Sequence, residues 1–169
     1  MGKTVIIKDL EKRTLTLERV FSAPIERVWQ AWTTDEINSW FGPHGWTTTS
    51  KERSVVEGGK WHYCMKCTDE NQKEWFGQES WGIAEFTVVD PPKKLVYRDV
   101  FADANGNPTE GMPVAEVAME LFDENGETRI VSTTTFESDE AFKSVIDMGV
   151  EAGINETWDR LAETVEQSV

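Results

Sequence analysis

The chain has few of the side chains that most often hold metals or form nucleophile–base pairs. Its 169 residues include two cysteines, Cys64 and Cys67, and two histidines, His44 and His62. A zinc or redox C-x-x-C needs both thiols to converge on one side. Cys64 and Cys67 fall in a segment that reads as a strand, where residues three apart point to opposite faces. Neither a metal nor a cofactor is therefore expected. There is no G-x-S-x-G, no glycine-rich phosphate loop and no H-E-x-x-H. No apolar run approaches the roughly 18 residues of a spanning helix, and the opening MGKTVIIKDL lacks the apolar core of a secretory signal. A cytoplasmic protein with reduced thiols is expected.

Basic residues are scarce as well. Lys and Arg number 17 against 31 Asp and Glu, for a net charge of −14. Phosphate backbones and anionic membranes are bound through cations, so neither nucleic acid nor membrane is an expected partner. What is present is the mix of an ordinary globular protein, 38% hydrophobic and 28% charged, with eight Trp. The length favours one domain over residues 1–169.

Hydrophobic periodicity orders the elements. Thr14 to Phe21 alternates as a strand. Ser22-Ala23-Pro24 then reads as a helix start, with Ser22 as N-cap, followed by Ile25, Val28, Trp29 and Trp32 at helical spacing. A second short helix starts at Thr34 and stops at Gly42-Pro43. Strands follow over Trp46–Val56, Lys60–Thr68, Trp75–Val89, Leu95–Phe101, Val114–Phe122 and Glu127–Phe136, the last two joined by an Asn125-Gly126 turn. One long helix closes the chain, capped by Ser138, with Phe142, Ile146, Val150, Ile154, Trp158, Leu161 and Val165 in one apolar stripe. Short turns between strands mean an antiparallel sheet. The expected fold is α+β in two layers, a curved six- to seven-stranded sheet around a long C-terminal helix, with two short helices after the first strand. A curved sheet cannot touch a straight helix everywhere, which leaves a cavity between them.

Four segments carry a family resemblance: LERVFSAPIERVWQAWT from Leu17 to Thr33, Trp40-Phe41-Gly42-Pro43, Glu57-Gly58-Gly59-Lys60-Trp61 with Met65, and Gly153-Ile154-Asn155-Glu156-Thr157-Trp158-Asp159-Arg160-Leu161. In order and spacing the chain resembles the helix-grip superfamily of START-like, birch-pollen-allergen-like (SRPBCC) domains. Within it, the chain is similar to the family named for homology to the activator of the heat-shock chaperone ATPase. The resemblance implies a hydrophobic cavity that accepts small ligands, and it brings no shared catalytic set. Ile154 stands where that family often has Trp, which implies a different cavity shape there.

Trp61, Tyr63, Met65 and Cys67 share one strand face, which suits a cavity wall or a packed core equally. Gly149 and Gly153, inside the expected helix, each cost roughly 1 kcal/mol against Ala; they make room either for a ligand or for close approach of helix to sheet. Arg98-Asp99 reads as an exposed cross-strand pair or, with Arg98 inward, as an anion site. Three roles follow. The first is binding of a small hydrophobic or amphipathic molecule by Trp40, Trp61, Tyr63, Met65, Phe86, Ile146, Val150 and Ile154. The second is a polyketide cyclase or dehydratase-like enzyme in which His44, Tyr63 or Glu79 moves a proton. The third is a chaperone-regulating interaction protein, a partnership that only the family name suggests. A free sheet edge would also support a homodimer.

Overall fold

A computed structural model describes residues 3–166. Eight antiparallel strands form one curved sheet in the order β1-β2-β8-β7-β6-β5-β4-β3. In chain order they are β1 Val5–Asp9, β2 Thr14–Phe21, β3 Trp46–Arg53, β4 Lys60–Cys67, β5 Glu79–Asp90, β6 Lys94–Phe101, β7 Val114–Glu124 and β8 Glu127–Phe136. The helices are α1 Ile25–Thr33, a 3-10 segment Asp35–Ser39, a second 3-10 segment Glu70–Trp75, α2 Asp139–Asp147 and α3 Val150–Val165. The α+β class and the antiparallel sheet agree with the sequence reading. Among the described residues, no helix is long and apolar enough to cross a membrane.

The pattern of β2 shows how the layers meet. Leu15, Leu17, Arg19 and Phe21 are all buried, while their neighbours between are half-exposed. Alternate side chains line one face, so this face is the floor beneath the helices. α1 buries Ile25, Val28, Ala31 and Trp32 against the same side. Register shifts in β3 at Ser50/Glu52 and in β5 at Phe86/Val88 add the local bend that a curved sheet needs. The β7–β8 hairpin turns on Asn125 (φ 58°) and Gly126 (φ 89°), both left-handed, as a two-residue turn with primed geometry requires.

Four expectations are corrected. The first strand is Val5–Asp9, an added edge: its Val5 and Ile7 are exposed, so it lacks the alternation that marks a half-buried strand. The strand expected from Trp75 begins at Glu79, because Glu70–Trp75 coils into a 3-10 segment. Ser22 does not cap α1. Pro24 occupies that position without a side-chain hydrogen bond, and the Ser22 amide donates to Glu166 Oε2 at 2.8 Å. Finally, the C-terminal helix is two helices. α2, capped by the Ser138 hydroxyl accepting from the Ala141 amide, ends at Asp147. Gly149 at φ 77° then turns the chain left-handed before α3 starts. The break resets the helical phase, and it explains how glycine is used here: an L side chain is strained at that φ.

α3 divides lengthwise. Its C-terminal half packs tightly, with Trp158, Leu161, Ala162 and Val165 buried. Its N-terminal half, Val150 to Thr157, stays half-exposed. The large apolar core, with Trp40, Phe21, Ile37 and Leu161 almost wholly out of solvent, lies under the C-terminal half. Burying each such side chain contributes about 1.5–3 kcal/mol. A smaller cluster, Ile83, Val100 and Ala102 with Val114, sits on the other face of the sheet.

Candidate functional site

The space left under the N-terminal half of α3 is a cleft of about 430 Å³. Its floor comes from β2, β4, β5, β6, β7 and β8, through Leu17, Tyr63, Gly82, Asp99, Val117 and Thr134. Its roof comes from Val145 of α2 and Val150, Gly153, Ile154 and Thr157 of α3. Phe41, Gly42 and Pro43 close one side, and Met148, 54% exposed, stands at the rim beside Gly149.

The wall is mostly apolar, and among its polar groups one carboxyl, Asp99, is bound by a phenol. Tyr63 reaches across β5 and donates its hydroxyl to Asp99 Oδ1 at 3.0 Å. This geometry depends on Gly82, which pairs with Tyr63 in the sheet. A Cβ at Gly82 would stand 2.5 Å from the Tyr63 hydroxyl oxygen; only glycine lets the phenol lie flat across that strand. Asp99 is half-buried and opens onto the cleft. Its desolvation pushes the carboxyl up to about 6, against the opposing effect of the Tyr63 hydrogen bond. Tyr97, two residues along the same face of β6, also lines the cleft. Burial, reinforced by the nearby Asp99 charge, raises the phenols of both Tyr63 and Tyr97 above the ordinary tyrosine range. Both therefore stay protonated at neutral pH. Ser80, Ser132 and Thr134 add hydroxyls.

Of the residues picked out by sequence, Tyr63, Met65, Val150 and Ile154 line the cleft. Trp40, Trp61 and Phe86 belong to the packed core beside it. Trp40 stacks edge-on against Trp32 at 4.9 Å and donates its indole N–H to the Ala31 carbonyl at 3.1 Å. Trp61 donates to the Ser50 hydroxyl at 2.8 Å and carries the Arg53 guanidinium over its ring. Phe41 stands edge-on to Trp61 and Tyr63, at 5.0 and 5.6 Å, and so separates Trp61 from the open space. Ile146 lies outside the cleft because the break at Gly149 shifts the stripe, and Val145 takes the place that an unbroken helix would give it. His44 is exposed on a loop, with its backbone amide donating to Glu156 Oε1. Glu79 is exposed at the start of β5. Among the three named proton carriers, only Tyr63 reaches the cleft.

Asp99 was the missed residue. Arg98 points the other way, exposed, 3.7 Å from Glu85, so the pair reads as a cross-strand ion pair on the outer face. Alternation then sends Asp99 inward, and that was the available signal. Cys64 and Cys67 are both buried, and burial raises the Cys64 thiol. Among the described residues, no cluster of three or more metal-type ligands forms. The two glycines separate cleanly from a packing role: a Cβ at Gly149 or Gly153 would meet nothing within 4 Å.

One arginine of α3 shapes the cleft from outside. Arg160 donates Nη1 to the carbonyls of Gly42, Pro43 and Trp46, and Nη2 to that of Ser39. It thereby holds the segment that carries Phe41 and Gly42 against the helix.

Arg160 stands in the closing stretch Gly153–Leu161 on which the resemblance rests, and residues 22–166 as a whole match the model of the family described as activator of Hsp90 ATPase homolog 1-like protein. The chain belongs to this family. Solved structures of the same fold cover almost the entire chain. A protein from Arthrobacter aurescens superposes with a TM-score of 0.87 at 28% identity, over 98% of this chain and 92% of its own. One from Mycobacterium smegmatis gives 0.85 at 28% identity, over 98% and 99%. One from Staphylococcus epidermidis gives 0.80 at 31% identity, over 98% and 95%. A comparison with curated protein sequences finds no match. The family and these neighbours fit a ligand-binding helix-grip protein.

Proposed function

We propose that this protein binds a small, largely apolar molecule in the cleft between the sheet and the C-terminal helices. The observation that carries this reading is the unfilled, mostly apolar space under α3, lined by Gly153, where a Cβ would meet nothing within 4 Å. Apolar walls with a few convergent polar groups are the usual make-up of a small-molecule site. A protein that wanted only stability would fill such a space, since a void forfeits dispersion contacts.

The test is titration with N-phenyl-1-naphthylamine, a neutral apolar fluorophore, together with native mass spectrometry of the purified protein. Saturable binding to the wild type is expected, with at least a tenfold loss in Gly153→Phe, whose ring would project where a Cβ now finds open space. Equal binding by both proteins, or none by the wild type, would sink the reading.

An enzymatic variant of the reading rests on a separate observation, the Tyr63–Asp99 pair. A carboxyl raised toward neutrality beside a protonated phenol is a usable proton acceptor and donor. A cyclase or dehydratase-like proton transfer would then run through Asp99 and Tyr63 rather than His44 or Glu79.

A further inference from the structure

The charge pattern inside the cleft narrows the ligand class, given that the cleft is a binding site. Among the residues that line it, the ionisable side chains are Asp99, Tyr63 and Tyr97. Lys, Arg and His are absent from that lining. The nearest basic residue in sequence, Arg98, is committed to Glu85 on the outer face. Asp99 accepts one side-chain hydrogen bond, from Tyr63, and has no cationic partner among the described residues. A carboxylate holding several acceptor sites is left with one neutral donor. In a low-dielectric pocket that arrangement is poorly compensated, and a cation supplied by the ligand would correct it. An anionic headgroup would do the reverse, meeting a like charge and no counter-ion.

We propose that the cleft selects an apolar molecule carrying a protonated amine, seated against Asp99 and Tyr63, and rejects the corresponding carboxylate. The hydrocarbon lies along Leu17, Val117, Val150 and Ile154. Tyr63 fixes the Asp99 carboxyl from the β4 side, leaving its outer oxygen to the ligand. Fatty acids, a common cargo for apolar cavities, are thereby disfavoured.

The experiment is calorimetric titration of the wild type and Asp99→Asn with decylamine, decanol and decanoate, each below its micellar concentration. The wild type is expected to bind decylamine roughly tenfold or more tightly than decanoate, about one charge-assisted hydrogen bond. Decanol should fall between them. Asp99→Asn should lose the amine preference while keeping decanol. A second readout uses the wild type alone: decylamine affinity should fall as the pH drops through about 6 and Asp99 protonates, with decanol unchanged. The titratable groups beside Asp99 are the Tyr63 phenol from β4 and the Tyr97 phenol on its own strand, both raised above the ordinary tyrosine range and so silent near pH 6.

Decanoate binding as tightly as decylamine, or a preference that survives in Asp99→Asn, overturns the inference. If none of the three binds while N-phenyl-1-naphthylamine does, the amine assignment falls and the apolar site stands. If the fluorophore also fails, the site itself falls and the assignment with it.

Discussion

At the scale of single residues, Asp99 sits in surroundings that disfavour its charged form. Its folded pKa of about 6 lies above the ordinary aspartate value near 4. The folded state thus holds this proton more tightly than the unfolded chain does. The stability associated with it is fully present below the unfolded value and declines as the pH rises through 6. Asp99→Asn removes that titration without changing side-chain size. The difference in unfolding free energy between wild type and variant should therefore shift against the wild type by about 2 kcal/mol from pH 4 to pH 7, measured by urea denaturation at several pH values. Parallel curves across that window would mean that the carboxyl is well solvated. The sequence carried half of this picture. Alternation along LVYRDVF places Tyr97 and Asp99 on one face, but the inward direction depends on where Arg98 finds Glu85 across β5. Gly82 reads as an ordinary strand glycine until Tyr63 is seen lying over it.

At the scale of elements, helix spacing was legible and helix continuity was not. Phe142, Ile146, Val150 and Ile154 keep a helical interval across the break, so periodicity alone joins α2 to α3. Only the φ of Gly149 separates them. Strand β1 was illegible for the opposite reason: an edge strand with exposed Val5 and Ile7 obeys no burial pattern. The clearest tie between elements is Arg160, whose guanidinium gathers the carbonyls between Ser39 and Trp46. Arg160→Ala removes the donors to these carbonyls, of which Pro43 alone keeps a bond, from the Trp46 amide, and should cost about 2 kcal/mol of stability. It should also speed limited proteolysis within residues 39–46, because the exposed His44 amide bond to Glu156 is then the remaining hydrogen bond that ties the segment to α3 among the described residues. Arg160→Lys offers a point charge in place of a planar fork and should recover only part of the loss. Wild-type proteolysis rates in Arg160→Ala would show that the loop is held by its own packing. A related tie joins β2 to α3, where buried Arg19 meets Asp159 Oδ1 at 2.6 Å. Asp159 is itself more than half exposed, so the pair joins a buried guanidinium to a carboxylate at the surface.

At the scale of the whole molecule, a net charge of −14 stores like-charge repulsion that the folded state concentrates. The ion pairs that offset it sit mostly at the surface, among them Lys8–Glu151 at 3.2 Å and Arg129–Glu124 at 3.3 Å, where each contributes little. Raising the salt concentration from about 0.02 M to about 0.2 M shortens the screening length severalfold. The midpoint of thermal unfolding should therefore rise with added sodium chloride. A fall would mean that the attractive pairs outweigh the excess of acid. The two-layer architecture itself was legible because it depends on counts and order: alternating strands, a tight hairpin, one long amphipathic region with nowhere else to dock. The exact outline of the cleft was not, because it depends on where packing stops. Trp40, Trp61 and Phe86 satisfy the same pattern as Tyr63 and Met65 yet lie where the core is full.

Three of the eight tryptophans, Trp32, Trp81 and Trp158, border the cleft, and the buried indole N–H of Trp32 has no hydrogen-bond partner in the structure. Indole emission shifts with the polarity of its surroundings. Exchange of water for hydrocarbon in the cleft should therefore move the ultraviolet emission of the unlabelled protein toward the blue. The chain carries its own optical gauge of occupancy, readable during purification before any ligand has been guessed.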